Sequence, residues 1–441
     1  MGNADRSGSE LQAGRTGRAI PFARLKGGAW QNLALLALAV FYVAQFGLDI
    51  YWRNTCGHLA IDYCAFWSAG RVAATSGYAR AYDLGRLEAV QRTVFPPRYA
   101  LAGAFATVPS PYLPPFIAPF ALLSGLSPFT GYWLWTLANL AVFLGYLSFF
   151  LKRVAGAPPG GRLLALAALS LPAFLNFFNG QINVWLMVCA GEALRAGLAG
   201  RRFRAGLWLG GLLLKPQLLV LIAAALLVRG AFRLFAGLAC SGLALFGLSW
   251  LMAGRQGLES LARLWLGYSE GLPTNDVAIM MNWRMVGDAI GRIDARAGWA
   301  VIVAGSAMTL LAALYLSRRR RGGTPQDAAV VWLGLLAAST VFAWHSHVHT
   351  AIILLPAMLC LVMTGRMAQG ALAAWVFAPA GLYVAAFLGG ALWQAALLPP
   401  GAIAYLDLAR GSGQLATSIY LVVWAIRRLR QPKPAALASP A

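Results

Sequence analysis

Charged residues are scarce in this 441-residue chain: they make up 11% of it, whereas 59% of the residues are hydrophobic. A soluble globular domain carries about a quarter charged residues, and a disordered chain is polar and poor in aromatic side chains. Because a soluble fold cannot hide so much apolar surface, the composition excludes both classes. It predicts an integral membrane protein.

Acidic residues are rarer still, with 14 against 36 basic ones and a net charge of +22. In a soluble protein this excess would suggest nucleic-acid binding. Here the basic residues lie between apolar runs, which is typical of the positive-inside rule. We therefore expect membrane lipids, and no nucleic acid, as partners.

Several motifs are missing as well. The chain has no CxxC pair, no Cys/His metal spacing, no HExxH pattern and no dinucleotide-binding fingerprint, so the usual sequence signals for a zinc site or a nucleotide cofactor are absent. Of its five cysteines, Cys56 and Cys64 share one polar loop. They can pair if that loop is extracytoplasmic.

The apolar runs and the clusters of Lys and Arg together predict about twelve membrane spans, with both termini in the cytoplasm. No cleavage site follows the first run, so we expect an uncleaved helix. The expected spans are 29–47, 129–150, 162–178, 180–198, 205–215, 217–229, 234–252, 298–316, 328–343, 350–365, 371–390 and 413–426. The fold class is thus an all-α polytopic membrane protein, with one transmembrane domain (29–430) between cytoplasmic tails (1–28 and 431–441).

Two outer loops, 48–128 and 253–297, are long, and the others are short. Segment 111–126 is apolar but short and rich in proline, which predicts a re-entrant or interfacial piece. Ten of the 14 acidic residues fall in outer segments. Since carriers concentrate polar residues near the bilayer midplane, this asymmetry favours chemistry at the outer surface.

The first candidate is Asp62, in the segment LAIDYCAFWSAG beside Tyr63 and Trp67. A carboxylate among aromatic rings at a membrane surface is partly desolvated, which raises its pKa towards a range useful for a general base. Aromatic faces also stack on sugars. The alternative is an aspartate that caps a surface helix. Tyr112, in SPYLPPF, is a further candidate substrate contact, although the prolines there first of all shape the chain.

Two other segments offer polar groups within apolar surroundings. The turn FNGQINVW carries Gln181 and Asn183, whose amides suit sugar hydroxyls, but Asn-Gly is also an ordinary turn signal. Lys215 interrupts the apolar stretch GLLLKPQ. A buried lysine is costly unless it meets an anion; the alternative is a side chain that extends to the membrane surface.

The remaining candidates are cationic or imidazole groups near the end of the chain. Arg284, in MMNWRMVGD, suits a phosphate or an interfacial aromatic belt. His345, His347 and His349, in AWHSHVHT, suit a polar or phosphate-facing role or plain interface packing. On a helix, the first and last of them would share a face. Zinc needs further ligands in fixed geometry, so we expect no metal and no cofactor.

In the twelve-span arrangement these residues all lie at the outer membrane surface. They would supply one base and several cationic or donor groups. A polyprenyl-phosphate sugar has these needs, because its phosphate must be held while an acceptor hydroxyl is deprotonated.

The sequence resembles glycosyltransferase family 87, whose members are membrane enzymes of the GT-C superfamily, over roughly residues 30–430. The resemblance depends on IDYCAFWSAG, AYDLGRLEAV, YLPPF, NGQIN, LKPQ, NWRMVGD and WHSHVH, in this order. It implies a GT-C-type helical fold, an extracytoplasmic site, a polyprenyl-phosphate-mannose donor and a lipid or glycan acceptor. It also implies that Asp62 is the general base and that His347 or His349 lies near the lipid phosphate.

A bacterial-type inner membrane is the expected location, with the active site extracytoplasmic. The proposed chemistry is an inverting single displacement, with Lys215, Arg284 and a histidine stabilising the departing phosphate. A transporter or flippase of lipid-linked sugars is the alternative, since it would need the same polar cavity without the chemistry.

Overall fold

The computed structural model describes residues 28–52, 55–58, 61–95, 100–101, 104–105, 107–269, 277–318, 324–399 and 402–431. The predicted tails, 1–28 and 431–441, lie almost wholly outside the described residues, as do Glu270 and Asp276 of the second outer loop. Within the described part the chain is helical, apart from a two-residue strand pair, β1 (Ala100–Leu101) and β2 (Ala104–Phe105). The all-α expectation is therefore confirmed.

The helices of the first half follow the apolar runs. They are α1 (Gly28–Trp52), α2 (Thr55–His58), α3 (Ile61–Ser76), α4 (Leu84–Gln91), α5 (Pro114–Leu123), α6 (Pro128–Ala155), α7 (Gly161–Ala168), α8 (Leu171–Phe178) and α9 (Asn183–Leu198). Local sequence explains the boundaries: α6 starts at Pro128 because the Ser127 hydroxyl caps it by accepting from the Thr130 amide, and a left-handed Gly156 ends it.

The second half contains α10 to α18 and several short 3₁₀ segments. The helices are α10 (Arg202–Leu209), α11 (Leu219–Val228), α12 (Phe232–Ser269), α13 (Trp283–Gly291), α14 (Ala295–Arg318), α15 (Pro325–Phe342), α16 (Leu355–Met363), α17 (Gln369–Gln394) and α18 (Ala402–Arg430). Helix α12 is interrupted by non-helical backbone at Gly254. The 3₁₀ segments that matter for the site are Gly210–Leu214, Pro216–Leu218 and Val348–Leu354.

Five of the described helices are long and apolar enough to cross a bilayer: α1, α6, α12, α14 and α17. A sixth crossing results if α7 and α8, which meet at 58°, are taken as one broken span. Most of the other predicted spans fall on shorter helices, for instance α15 and the two segments on either side of residue 215, whereas 413–426 lies in the 29-residue α18, which is not among the five. The number of twelve crossings therefore stays a prediction.

The predicted outer loop 48–128 is itself mostly helical. Helix α5 has 10 residues, about 15 Å at the usual rise, which is half of a hydrocarbon core. It packs closely on α3, since a Cβ added at Gly70 would come within 2.3 Å of the Phe120 carbonyl carbon. A core rich in aromatic residues, separate from the larger hydrophobic core of the protein, forms here around Tyr63, Phe66 and Phe120. It is a rigid base for the start of α3.

Cys56 of α2 and Cys64 of α3 form a disulfide with a Cα–Cα distance of 5.6 Å. The pairing that the sequence left open is thus present. The disulfide joins α2 to α3, and its two cysteines flank Asp62 in the sequence; Asp62 lies in the first turn of α3.

Candidate functional site

Seven of the eleven candidate residues line one small cavity. It lies between the first turn of α3, the turn before α9, the break between two 3₁₀ segments at Lys215 and the segment after α15. Its volume is about 80 Å³, which corresponds to two or three water molecules. The lining comprises Asp62, Ala65, Phe66, Val108, Pro109, Pro111, Tyr112, Gln181, Lys215, His345, His347, His349 and Thr350.

Among the described residues of this lining, Asp62 supplies the only carboxylate. Its Oδ2 accepts a hydrogen bond of 2.6 Å from the Gln181 Nε2. Burial raises the pKa of the Asp62 carboxyl, because a low-dielectric environment disfavours the charged form, and the hydrogen bond from Gln181 and the charge of Lys215 lower it less than burial raises it. A carboxylate with a raised pKa is suited to remove a proton.

The turn that carries Gln181 is fixed by its neighbours on α3. The Tyr63 amide donates to the Asn179 carbonyl at 3.0 Å, and Gly180 has φ +64° with no room for a Cβ, which would lie 2.6 Å from the Tyr63 Cβ. Asn183 is held by Asn176, whose Oδ1 accepts from the Asn183 amide and side chain at 3.0 and 3.1 Å. The turn therefore has one position relative to α3.

Three residues that the sequence suggested as substrate contacts, Tyr63, Asn183 and Trp67, do not line the cavity. Tyr63 is fully buried in the aromatic core, and Asn183 is buried in its bonds to Asn176. Trp67 is not in the cavity lining either: it lines a separate shallow groove beside Arg71, and its Nε1 donates to the Leu126 carbonyl at 3.2 Å. The structure does not bring these three side chains to the cavity.

Lys215 lies where the helical path is interrupted. Its backbone is extended between the two 3₁₀ segments, and Pro216 opens the second one. The side chain is only 5% exposed, and its Nζ donates to the Gln181 Oε1 at 3.2 Å. The side chain therefore does not extend to solvent.

The three histidines follow the end of α15 at Phe342, and the first two are not helical. The shared face that a helix would have given His345 and His349 therefore does not form. The cause is Asn282, whose Nδ2 donates to the Ala343 and Trp344 carbonyls at 2.8 and 3.0 Å. These carbonyls are held by a side chain from another element instead of by a continuing helix.

The imidazole rings nonetheless form a compact row. The ring centroids of His345 and His347 are 4.7 Å apart, and those of His347 and His349 are 5.4 Å apart in a stacked arrangement. Burial first, and then the charge of Lys215, lowers the pKa of His347 to about 4. Burial and the neighbouring His347 ring also hold the pKa of His345 well below its usual range. Both rings are therefore neutral at pH 7, and each can donate one N–H.

Arg284 lies behind this row and not in the lining. Its guanidinium is 4.9 Å from the centroid of the Trp344 ring, which itself stacks on Trp299. Its charge still acts on His345 and His347. It adds positive potential next to the cavity.

A short covering segment, residues 108–112, closes the cavity on one side. The Gln91 side chain binds both backbone groups of Val108, at 2.6 and 2.8 Å, the Tyr82 hydroxyl donates to the Tyr112 carbonyl at 2.7 Å, and the Trp265 Nε1 donates to the Pro111 carbonyl at 2.7 Å. Tyr112, predicted as a substrate contact, lies in this segment and lines the cavity.

Sequence reasoning missed these anchoring side chains, together with Gln217, whose Nε2 donates to the His345 carbonyl at 3.0 Å. Gln217 and Asn282 belong to the segments LKPQ and NWRMVGD, so the signal was in motifs already singled out. Gln91 had no such signal, because an isolated glutamine on a short helix cannot be told apart in sequence from a solvent-exposed polar residue.

The sequence model described as glycosyltransferase family 87 matches residues 111–344, more than half of the chain. The matched region includes Tyr112, Gln181, Lys215 and Arg284, and it ends one residue before His345. No curated protein and no solved structure matched the chain.

Proposed function

Since the chain belongs to glycosyltransferase family 87, we propose that this membrane glycosyltransferase takes its sugar from a polyprenyl-phosphate donor. The sugar is a hexose or pentose, with mannose first, and the acceptor is a lipid or glycan. The reaction takes place on the extracytoplasmic face of a bacterial-type inner membrane and inverts the anomeric configuration. The donor carries an activated sugar, so the proposal includes no cofactor and no metal.

One observation carries the proposal: a single carboxylate and a single ammonium flank Gln181 in a cavity that also holds three imidazoles. A displacement at the anomeric carbon needs a base for the incoming hydroxyl and donors for the outgoing phosphate. The two kinds of group lie on opposite sides of one amide, which matches the two ends of such a reaction.

In the proposed step Asp62 removes the proton of the acceptor hydroxyl while the oxygen attacks the anomeric carbon. The bond between that carbon and the phosphate oxygen breaks, and its electron pair stays on the phosphate. Lys215, Arg284, His347 and His349 stabilise the charge that develops there. A base contributes about 10²–10⁴-fold, and electrostatic stabilisation is usually the larger contribution. Tyr112 and His345 are left to contact the sugar.

The cavity of about 80 Å³ is small next to the roughly 300–1,000 Å³ of ordinary ligand sites. Substrate entry therefore requires the covering segment 108–112 to move away. Two features support an extracytoplasmic site: the disulfide between Cys56 and Cys64, which is a bond of oxidising compartments, and the basic residues expected on the opposite side.

The test is sugar transfer in isolated membranes from labelled polyprenyl-phosphate mannose, with Asp62→Asn as the variant. We expect the wild type to transfer and the variant to lose about 10²–10⁴-fold of the rate. Asp83→Asn is the matched control, because Asp83 caps α4 at an exposed position and asparagine caps equally well. It should transfer at the wild-type rate.

Full transfer by Asp62→Asn, at normal expression, would contradict the role of Asp62. If the wild type moves intact lipid-linked sugar across vesicle membranes but transfers no sugar, the result supports the transporter alternative. If it transfers from another polyprenyl-phosphate sugar only, the class of donor stands and mannose is wrong.

A further inference from the structure

Gln181 joins the carboxylate and the ammonium of the site through the two ends of one amide. Its Nε2 lies 2.6 Å from Asp62 Oδ2, and its Oε1 lies 3.2 Å from Lys215 Nζ. We propose that Lys215 orients the Gln181 amide so that Asp62 Oδ2 is held as a hydrogen-bond acceptor and Oδ1 alone acts as the base. Gln181 and Lys215 are then positioning residues for Asp62.

We call the chain of hydrogen bonds from Lys215 through Gln181 to Asp62 the relay. Its direction follows from which of its atoms can donate a hydrogen bond. An ammonium group donates and never accepts, so the atom of Gln181 that faces Lys215 has to be the carbonyl oxygen. The amide nitrogen must then face Asp62 and donate to it. A hydrogen bond that is donated to a carboxylate favours its ionised form, so Lys215 acts on Asp62 both through Gln181 and through its own charge.

The amide has little freedom to turn away. Gln181 is 4% exposed, and its backbone N–H donates to the Asn176 carbonyl at 2.8 Å. Gly180, the residue before Gln181, is packed against the Tyr63 Cβ and fixes the backbone there. Side chain and backbone are therefore both held with the amide between Lys215 and Asp62.

The relay rests on the proposed function, since it assigns the reacting oxygen of the proposed base. It is compatible with phosphate binding by Lys215, because an ammonium group has three N–H bonds and Gln181 takes one of them. It differs from the expectation that Gln181 contacts the substrate.

The relay predicts a pH effect. The titratable groups that line the cavity with Asp62 come from the covering segment, the break before Pro216 and the segment after α15; they are Tyr112, Lys215, His345, His347 and His349. The pKa of Asp62 is already raised by burial, and Gln181 and Lys215 hold it down. Removing either one should raise it further, so the base becomes protonated at higher pH.

The experiment compares Gln181→Leu and Lys215→Met with the wild type in two measurements. The first is the infrared absorption of the protonated Asp62 carboxyl as a function of pH, isolated by subtracting the spectrum of Asp62→Asn. The second is the pH dependence of kcat/KM for sugar transfer, which reports the groups of the free enzyme. We expect the carboxyl titration and the acid limb of kcat/KM to move together to higher pH, by at least about one unit.

Gln414→Leu is the matched control. Gln414 is a fully buried glutamine of α18, and its amide atoms make no hydrogen bond to another described residue. Its replacement should leave the carboxyl titration in place. Gln181→Met, which keeps the length of the side chain without its amide, keeps the relay testable if Gln181→Leu does not fold; Lys215→Met alone cannot, because it also removes the charge that acts directly on Asp62.

A loss of transfer at every pH with an unmoved carboxyl titration would overturn the relay and make both residues ordinary substrate contacts. A titration that moves in protein that transfers no sugar would support the relay while the proposed function fails. The two failures are thus distinguishable.

Discussion

Among the described residues, the carboxylates of Glu192 and Asp62 both contact other side chains, but their partners differ. Glu192 of α9 is 5% exposed, and the Arg195 guanidinium holds both of its oxygens at 2.5–3.0 Å. Asp62 has a neutral amide on one oxygen, and Lys215, whose charge acts on it, bonds to the other end of that amide. The first charge is neutralised by direct contact. The charge of Asp62 is stabilised less, so this carboxylate can still accept a proton.

This difference separates a structural acid from a candidate base. A buried ion pair that satisfies itself costs stability when it is broken, but it has no oxygen left for chemistry. A carboxylate with one oxygen engaged keeps the other for a substrate. The exchange of the two acids for their amides should therefore have opposite results.

The largest expected effect is that Asp62→Asn and Glu192→Gln change sugar transfer and thermal stability in opposite ways. Asp62→Asn should lose transfer but unfold at the same or a higher temperature at neutral pH. The pKa of Asp62 is raised in the folded protein, so ionising this carboxyl above its unfolded pKa lowers the free energy of unfolding, and asparagine avoids that loss.

Glu192→Gln should show the reverse. Arg195 loses its charge partner, which costs roughly 1–3 kcal/mol, less than a fully buried pair because the Arg195 side chain is 27% exposed. Transfer per folded molecule should persist. Thermal unfolding in detergent and transfer assays on the same samples check both variants; a Glu192→Gln protein of normal stability and no activity would abolish the distinction.

A second, smaller effect should follow from moving the amide away from Asp62. In Gly180→Ala the new Cβ would meet the Tyr63 Cβ at 2.6 Å, at φ +64°. The strain costs about 1–3 kcal/mol, and the displaced Gln181 should reduce kcat by up to about 100-fold.

Gly200→Ala is the control for backbone strain alone. It has φ +71° but nothing within 4 Å of its added Cβ, so it should lose stability and keep transfer. Equal loss of transfer in both variants would show that Gly180 matters only for folding.

Much of this site was predictable, because polar residues in apolar runs are conspicuous. Lys215, Asp62 and the histidines were identified in this way, and all of them line one cavity. The neighbours of Asp62 that line the cavity with it were not identified, although the spacing of residues on a helix predicts them. From Asp62, positions three and four residues on are Ala65 and Phe66, which share its face, whereas Tyr63 and Trp67 point elsewhere.

Other features depend on tertiary contacts that no local pattern reports. The Asn282 side chain, and not a continuing helix, holds the carbonyls before the histidines, so His345 and His349 do not share a helical face. Glu192 was passed over because the acids were judged by their position along the chain, and this one lies inside a helix. The number of membrane crossings is likewise undecided by sequence, since several apolar helices are short.

The smallest expected effect concerns the neutral partner of each carboxylate. The Tyr146 hydroxyl lies 3.4 Å from Glu192 Oε1, a long contact beside the direct bonds from Arg195. Its removal in Tyr146→Phe should cost no more than about 0.5 kcal/mol, the low end for a neutral hydrogen bond, and should leave transfer unchanged. Gln181→Leu is its counterpart at Asp62, where the neutral donor is 2.6 Å away and connects to the cation. If Tyr146→Phe lowers the unfolding temperature as much as Glu192→Gln does, Arg195 does not neutralise Glu192 by itself, and the two acids are more alike than their contacts indicate.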